Sequence, residues 1–335
     1  MKRAAIASIF LCAAIAAAAP ALASAQTAAA ASHPPIVLTP HYTPGDSMRY
    51  QVSLRSQAKS LVGGALENRQ GATDLGISVG LTLHLEVLAP IPVTAAPAAP
   101  AAAPGGRERL RLRATYERVS AEILGDAYDP AAAKLLAPYK NLEGRAIEFQ
   151  LGPHGEVEYM QGLDEVVQDA RGLETARAWF EQLGAGLGAP ATGVVPGQSW
   201  DRSQVVAESP LKDTQLRSNS TYLRDEPCDI EKPMGEQCAV VLMRFDLGQK
   251  PGEKNPTPES FRKNKLRTSG QWISHGESLV YVSLRTGRTV SVTQSSEELL
   301  DVSIRHENGG MPFRYSGHTK NETHLLLIDE TSGSP

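Results

Sequence analysis

The chain has 335 residues, with 33 lysines and arginines against 37 aspartates and glutamates, and a formal net charge of −4. This balance excludes a strongly basic nucleic-acid-binding protein, and a charged fraction of 21% with both signs interspersed excludes a fully disordered chain. The hydrophobic fraction of 41% overstates the core, because sixteen alanines lie in the first 31 residues.

The N-terminus has the pattern of a secretory signal peptide. Basic residues at positions 2 and 3 precede an apolar run from Ala4 to Ala19, and Ala23-Ser24-Ala25 is a small-x-small cleavage sequence. We expect cleavage between Ala25 and Gln26, which removes residues 1–25 and leaves residues 26–40 as a disordered leader.

No later stretch reaches the roughly 18 continuous apolar residues that a membrane helix needs. We therefore expect an exported bacterial protein, periplasmic or extracellular, with no transmembrane segment after signal cleavage.

Two cysteines remain after cleavage, Cys228 and Cys238, with Pro233 and Gly235 between them. An even number of cysteines in an exported chain favours a disulfide, which would staple a hairpin here.

Residues 41–160 alternate between apolar and polar side chains with the period of β-strands. Apolar residues occupy every odd position from Leu75 to Val87 and every even position from Met48 to Leu54. A third alternating run, Leu110 to Ile123, changes parity after Tyr116, as a β-bulge would produce.

The same region contains a predicted hairpin and an insertion. Ile147–Leu151 and Val157–Tyr159 flank the turn sequence Gly152-Pro153-His154-Gly155. The Ala/Pro-rich stretch 89–106 cannot bury a face, so we interpret it as an insertion between two strands, with an inter-domain linker as the alternative.

Residues 161–186 predict one amphipathic connecting helix, because apolar residues recur with helical spacing from Leu163 to Leu183. A Gly/Pro-rich linker follows at 187–195, then a second β unit at 196–328 and a flexible tail at 329–335. The second unit contains predicted strands at Leu216–Leu223, Ala239–Leu247, Leu266–Ile273, Leu279–Leu284, Thr289–Val292, Leu299–Ile304 and Leu325–Ile328.

The chain also carries signs of an internal duplication. Pro44-Gly45-Asp46-Ser47-Met48 recurs as Pro196-Gly197-Gln198-Ser199-Trp200, and the glycine-turned hairpin that begins at Gly144 resembles the one that begins at Gly276. The predicted fold is mainly β, with antiparallel curved sheets in two related β units joined by the helix.

These short motifs resemble a family of uncharacterised secreted bacterial β-rich proteins. That family is in turn loosely similar to the open antiparallel half-barrels of periplasmic lipoprotein-carrier proteins. The resemblance implies a curved sheet whose concave face holds an apolar ligand, and it brings no catalytic residues.

The sequence shows no catalytic, nucleotide-binding or cofactor motif, so we predict no catalytic residues, no metal and no cofactor. His318, Glu322 and His324 would share one strand face, which leaves a metal site as an alternative to a solvated strand end. The adjacent acids Glu297 and Glu298 do not have the separation across a cleft that glycosidase chemistry requires.

Three hypotheses about function follow. The leading one is a non-enzymatic protein that binds or carries a lipid or another apolar, envelope-derived ligand, on a sheet covered by Phe180 and Leu183. The second is an envelope assembly protein whose edge strands pair with a partner. The third is a hydrolase whose site is built from residues far apart in sequence. The ligand-binding residues cannot be named from sequence, and Trp200 and Trp272 are predicted to fill the core.

Overall fold

The computed structural model describes residues 34–64, 73–89, 110–124, 136–152, 157–163, 179–180, 183, 187–206, 209–249 and 256–331. The described residues form one antiparallel sheet of eleven strands, which is not closed. The strands are β1 Ser47–Gly64, β2 Thr73–Leu88, β3 Leu110–Leu124, β4 Ala146–Leu151, β5 Val157–Gln161, β6 Ser199–Val205, β7 Thr214–Pro227, β8 Gln237–Gln249, β9 Leu266–Ser283, β10 Thr289–His306 and β11 Phe313–Thr331.

The order of the strands joins the two predicted units in a single sheet. It runs β5-β4-β3-β2-β1-β11-β10-β9-β8-β7-β6, so each half is a meander and the halves meet where β1 pairs with β11. That junction extends from the pair Ser47 and Thr331 to the pair Gly64 and Phe313. The mainly β, antiparallel fold is confirmed, and residues 329–331 of the expected tail belong to β11.

Two strands are longer than the sequence pattern indicated. The separate strands expected at Leu266–Ile273 and Leu279–Leu284 are one continuous strand, β9, and those expected at Thr289–Val292 and Leu299–Ile304 are one strand, β10. The intervening residues 274–278 are polar or glycine on both faces, so the apolar alternation stops although the pairing with β10 continues.

The parity change in β3 is a β-bulge, as predicted. Leu83 pairs with Tyr116 while Thr82 pairs with Arg118, which leaves Glu117 as the extra residue. Val119 consequently returns to the face on which Tyr116 lies, and the side chain of Glu117 faces the other side of the sheet.

One face of the sheet, called the inner face here, carries the core. The largest apolar cluster covers β1 to β5 and includes Tyr50, Leu83 and Phe149, each at most 1% exposed. Phe180 packs on this cluster, with its ring centroid 5.1 Å from that of Phe149. The helix expected over 161–186 lies mostly outside the described residues, but Trp179, Phe180 and Leu183 are helical.

Further clusters cover the second half of the inner face. One joins β7, β8 and β9 to Trp200 and Leu187, and a smaller one surrounds Trp272 with Leu211 and Val302. Trp200 and Trp272 are buried, as predicted. None of the described helices has the length and apolar character needed to cross a membrane.

Residues 36–38 belong to the packed structure. The expectation of a disordered leader over 26–40 is therefore wrong for these residues. Ile36 forms a β-bridge with Val194, and Leu38 is 2% exposed within the cluster that contains Trp200. Burial of Leu38 and the two backbone hydrogen bonds between Ile36 and Val194 (2.8 and 2.9 Å) stabilise this segment against the loss of conformational entropy. Residues 1–33, with the predicted signal peptide and its cleavage position, lie outside the described residues.

The predicted disulfide is present. Cys228 and Cys238 are bonded, with Cα atoms 5.0 Å apart, where β7 ends and β8 begins. The bridge therefore staples the connection between two neighbouring strands, as expected from the turn residues between the cysteines.

Candidate functional site

An apolar cleft opens on the inner face where the two halves of the sheet meet. It has about 450 Å³ of empty volume, part of it open solvent. Among the described residues that line it, six side chains are aliphatic or aromatic and three are uncharged polar groups: Trp179, Leu183, Leu187, Val280, Val292, Leu325, Thr289, Gln294 and Thr323.

The strand register builds the floor of this cleft. Val292 on β10 lies opposite Val280 on β9 and opposite Leu325 on β11, so three branched side chains form one row across adjacent strands. Two residues further along β10, Gln294 lies opposite Thr323. On the Gln294 side the floor therefore changes from hydrocarbon to amide and hydroxyl groups, and the Thr289 hydroxyl lies on the other side of the hydrocarbon row.

Helical and loop residues cover the floor. Trp179 packs edge-on against Phe180 with ring centroids 4.9 Å apart, which ties the cover to the core of the first half. Tyr42 donates its hydroxyl to the carbonyl of Leu183 (3.3 Å). The indole of Trp200 donates to the carbonyl of Leu187 (3.1 Å), so both ends of the cover are held by hydrogen bonds from aromatic residues, the partly buried Tyr42 and the buried Trp200.

A buried ionic network is centred on Arg288, the residue that precedes Thr289 of the cleft lining. Arg288 is 4% exposed and pairs with the carboxylates of Asp46 and Glu330. Its guanidinium also donates to the carbonyl of His41 (2.8 Å) and lies 5.1 Å from the ring centroid of Tyr42. Burial raises the pKa of the Tyr42 hydroxyl far above its ordinary value, so this side chain stays neutral at physiological pH.

The sequence did not indicate this network. Arg288 lies in the turn between β9 and β10, whereas its partner Asp46 precedes β1, more than 240 residues earlier in the chain. No local pattern connects positions so far apart, because only the pairing of β1 with β11 brings them together.

A second cluster of reactive groups lies on the outer face of the first half. The Ser47 hydroxyl oxygen is 2.7 Å from His84 Nε2, and His84 Nδ1 is 3.2 Å from the Glu117 carboxylate. Arg49 donates to both oxygens of Glu117 (3.0 and 3.1 Å). The sequence pattern predicted the bulge in β3, but no local signal indicated that Glu117 would lie beside His84 of β2.

The other polar side chains considered from sequence do not form a site together. His318 contacts Glu297 at 2.5 Å on the outer face, whereas Glu298 faces inward and accepts a hydrogen bond from Trp272 (2.8 Å). His324 lies 3.4 Å from the Thr293 hydroxyl. Among the residues that the structure describes, no three His, Cys, Asp or Glu side chains form a group that could hold a metal ion.

Strand β6 is one edge of the sheet and was a candidate for pairing with a partner. Residues 201–205 are exposed, and the apolar Val205 is 64% exposed. Asp201 and Arg202 place charges along this edge, which is a common way to prevent pairing with another strand. The edge-strand hypothesis stays a prediction.

No family model matches the chain, and no curated protein sequence matches it. Among solved structures, it is similar to lipovitellin, from a study of lipid–protein interactions, with 9% identity and a TM-score of 0.46 over 88% of this chain. The match spans 26% of the lipovitellin chain. It is also similar to an outer membrane channel from Pseudomonas putida F1, with 8% identity and a TM-score of 0.18 over 86% of this chain and 97% of that one. At such TM-scores neither likeness assigns a function to this protein.

Proposed function

We propose that this protein binds an apolar ligand in the cleft between the two halves of the sheet. The observation that carries the proposal is the lining, which combines hydrocarbon side chains with three uncharged polar groups and opens to solvent. Apolar pockets with a few oriented polar groups are the usual form of small-ligand sites.

The energetics favour a hydrocarbon chain or ring as the bound group. Each Å² of apolar surface removed from water contributes about 25 cal/mol, so a hydrocarbon group that covers the cleft floor gains free energy in proportion to the area it buries, before the costs of association. None of the described residues that line the cleft is charged, so an ionic group buried against them would find no counter-charge among them.

A neutral fluorescent probe such as N-phenylnaphthylamine tests the proposal directly. We expect saturable binding with increased probe emission. Val292→Trp, which fills the floor, should weaken this binding by about tenfold or more, equivalent to about 1.4 kcal/mol. Ser291→Trp is the matched control, because Ser291 is adjacent on β10 and faces the other side of the sheet. Equal probe binding by both variants, with unchanged thermal unfolding, would contradict a ligand site in this cleft.

We also propose that the protein works outside the cytoplasm. The N-terminal signal pattern and the Cys228–Cys238 disulfide support this location, because disulfides persist in oxidising compartments. N-terminal sequencing of the protein after expression in a bacterium with its native leader should give Gln26 as the first residue. Recovery of the intact chain from the cytoplasmic fraction would contradict the proposal.

A second candidate function, ester hydrolysis, is favoured by one observation, the hydrogen-bonded chain Ser47–His84–Glu117. Ser47 Oγ would attack the ester carbonyl while its proton passes to His84 Nε2, and His84 would return that proton to the departing alkoxide. Water would then hydrolyse the acyl-serine to release the acid. We rank this candidate second, because the three side chains lie on the outer face and not in the cleft.

A fluorophosphonate probe that labels activated serines distinguishes the two functions. If Ser47 is a nucleophile, the labelling rate should fall to background in Ser47→Ala and stay unchanged in Ser53→Ala, a serine on the same face of β1. Equal, slow labelling of all three proteins would exclude the hydrolase.

A further inference from the structure

Next to the apolar cleft, the inner face carries a patch of buried polar side chains that nothing above explains. We call it the serine belt and define it by six residues with exposures of 1–5%: Ser56, Ser274, Ser278, Ser296, Asn321 and Thr323. The belt crosses the central strands β1, β11, β10 and β9. It separates the cleft floor from the apolar cluster around Trp272.

The strand register makes the belt continuous. Ser296 on β10 lies opposite Asn321 on one side and Gly276 on the other. Ser274 and Ser278 flank Gly276 on β9, so three serine hydroxyls surround a position that has no side chain. Such diagonal neighbours in a sheet lie about 7–8 Å apart, a separation that one polar group can bridge.

Three of these hydroxyls have unused hydrogen-bonding capacity. The Oγ atoms of Ser274, Ser278 and Ser296 are fully buried and find no hydrogen-bond partner in the part of the chain that the structure describes. Leaving a buried hydroxyl without a partner costs about 1–3 kcal/mol. Alanine at these positions would avoid that cost, so three adjacent serines indicate a polar occupant on this face.

The belt begins where the hydrocarbon lining of the cleft ends. Gln294 and Thr323 line the cleft, and Gln294 lies opposite Ser278 on β9. Ser296 is two residues beyond Gln294 on the same face of β10. An elongated ligand whose apolar part lies on Val280 and Val292 would therefore bring its other end to the belt.

The charges on this part of the face select the type of head group. All six belt residues are uncharged, and the acidic Glu298 lies on the same face opposite Ser274. Along the belt rows of β1, β11, β10 and β9 there is no lysine, arginine or histidine facing inward. An anionic head group would meet a carboxylate and no counter-charge, whereas hydroxyl groups can both donate to and accept from serine.

We propose that the serine belt is the head-group subsite of the cleft and that the ligand is a neutral amphiphile bearing hydroxyl groups, such as a monoacylglycerol. This inference rests on the proposed function, because the tail of the amphiphile occupies the apolar cleft. The belt supplies the hydrogen bonds that orient the ligand, and the cleft supplies the apolar contact.

Displacement of N-phenylnaphthylamine by three ligands with the same acyl chain tests the subsite: monooleoylglycerol, methyl oleate and oleate. Monooleoylglycerol should bind about tenfold more tightly than methyl oleate, since two net hydrogen bonds contribute about 1.4 kcal/mol or more. Oleate should be the weakest of the three. In the double variant Ser278→Ala/Ser296→Ala the advantage of monooleoylglycerol should fall to about twofold or less.

Ser295→Ala is the matched control, because it lies between the belt positions in sequence and faces outward. It should keep the full preference, and both variants should retain the thermal unfolding of the parent protein. An unchanged preference in the double variant, or tighter binding of oleate, would overturn the subsite and assign the belt to structural water. If the parent protein bound no probe, the proposed ligand site in the cleft would itself be refuted. That result is distinguishable from one that overturns only the head-group subsite.

Discussion

The Pro-Gly turn before β1 and the one before β6 have the same hydrogen bonds in different surroundings. The N–H of Gly45 donates to Val87 of the neighbouring strand (2.8 Å), and the N–H of Gly197 donates to Tyr222 (2.6 Å). Each strand residue returns a hydrogen bond to the residue after the glycine, at 2.8 Å and 3.0 Å respectively. One short sequence pattern has therefore produced the same local structure twice.

The side chain after each glycine shows where the two turns differ. Asp46 accepts a hydrogen bond from the N–H of Thr43 (2.7 Å), and Gln198 accepts the corresponding one from Val195 (3.1 Å). Asp46 in addition pairs with the buried Arg288, whereas Gln198 carries no charge. The shared geometry supports our proposal of two related β units, and the ion pair is a feature of the first turn that ties it to the second unit.

The largest difference between the turns should appear when the charge of Asp46 is removed. Asp46→Asn keeps a side-chain acceptor but breaks a buried ion pair, which typically costs about 3–5 kcal/mol. Gln198→Ala should cost only about 1 kcal/mol, the contribution of one hydrogen bond. Urea unfolding of both variants measures the difference, and equal losses would mean that the ion pair adds nothing to the first turn.

The second half has a covalent staple, and no disulfide joins the described residues of the first half. Replacing Cys228 and Cys238 by serine should lower the free energy of unfolding by about 2–3 kcal/mol, as expected for a closed loop of this length. Because β1 to β5 lie at the other end of the sheet, hydrogen exchange should rise mainly in β7 and β8. A uniform rise across all strands would show that the two halves unfold as one unit.

Alanine at the two turn glycines tests their equivalence. Gly45 has a φ of 93° and Gly197 a φ of 86°, a region in which a side chain costs about 1–2 kcal/mol. A Cβ on Gly197 would contact nothing within 4 Å, so its loss should reflect backbone strain alone. We expect losses within about 0.5 kcal/mol of each other by thermal unfolding. A larger difference between the two losses of stability would indicate that the turns have similar sequences but different backbone strain.

Acid should lower the stability of both halves, because each contains a carboxylate that is held ionised by a hydrogen bond in the folded state. A hydrogen bond from Arg113 lowers the pKa of Glu148 in the first half, and one from Tyr281 lowers that of Glu226 in the second. A carboxyl whose pKa is depressed by folding stabilises the protein above its ordinary pKa of 4.5, and this contribution is lost as the pH falls through the lower folded value.

Glu148→Gln and Glu226→Gln should each flatten the loss of stability on acidification. These groups are near the surface, so we expect small effects, measurable as a shallower dependence of the urea midpoint on pH. An unchanged dependence in either variant would assign acid unfolding to other groups.

The sequence predicted the strands that have one apolar and one polar face. It did not predict the strand segment that is polar on both faces. Alternation over Leu75–Val87 identified β2 and the parity change identified the bulge in β3. The residues 274–278 were not recognised as strand because both faces are polar, and those residues include two serines of the belt. The polar side chains that would form the proposed head-group subsite are also the ones that interrupt the apolar alternation, so the sequence pattern did not reveal this part of β9.

The ion pair of Arg288 and Asp46 was also outside the reach of sequence patterns, because its partners are distant in the chain and meet only after the sheet has formed. By contrast, the helical spacing did predict that Phe180 and Leu183 cover the sheet: Phe180 packs on the core and Leu183 lines the cleft. The disulfide was predictable because its partners are ten positions apart with turn residues between them.

The pairing of β1 with β11 also determines how this chain can be made. β1 must wait for β11, so the edge of β1 that pairs with β11 stays open while β2 to β10 are synthesised. Contacts that close such a long stretch of chain are slow to form, and exposed strand edges invite association with other molecules. A protein built in this order would benefit from a chaperone that shields β1 until β11 has been made.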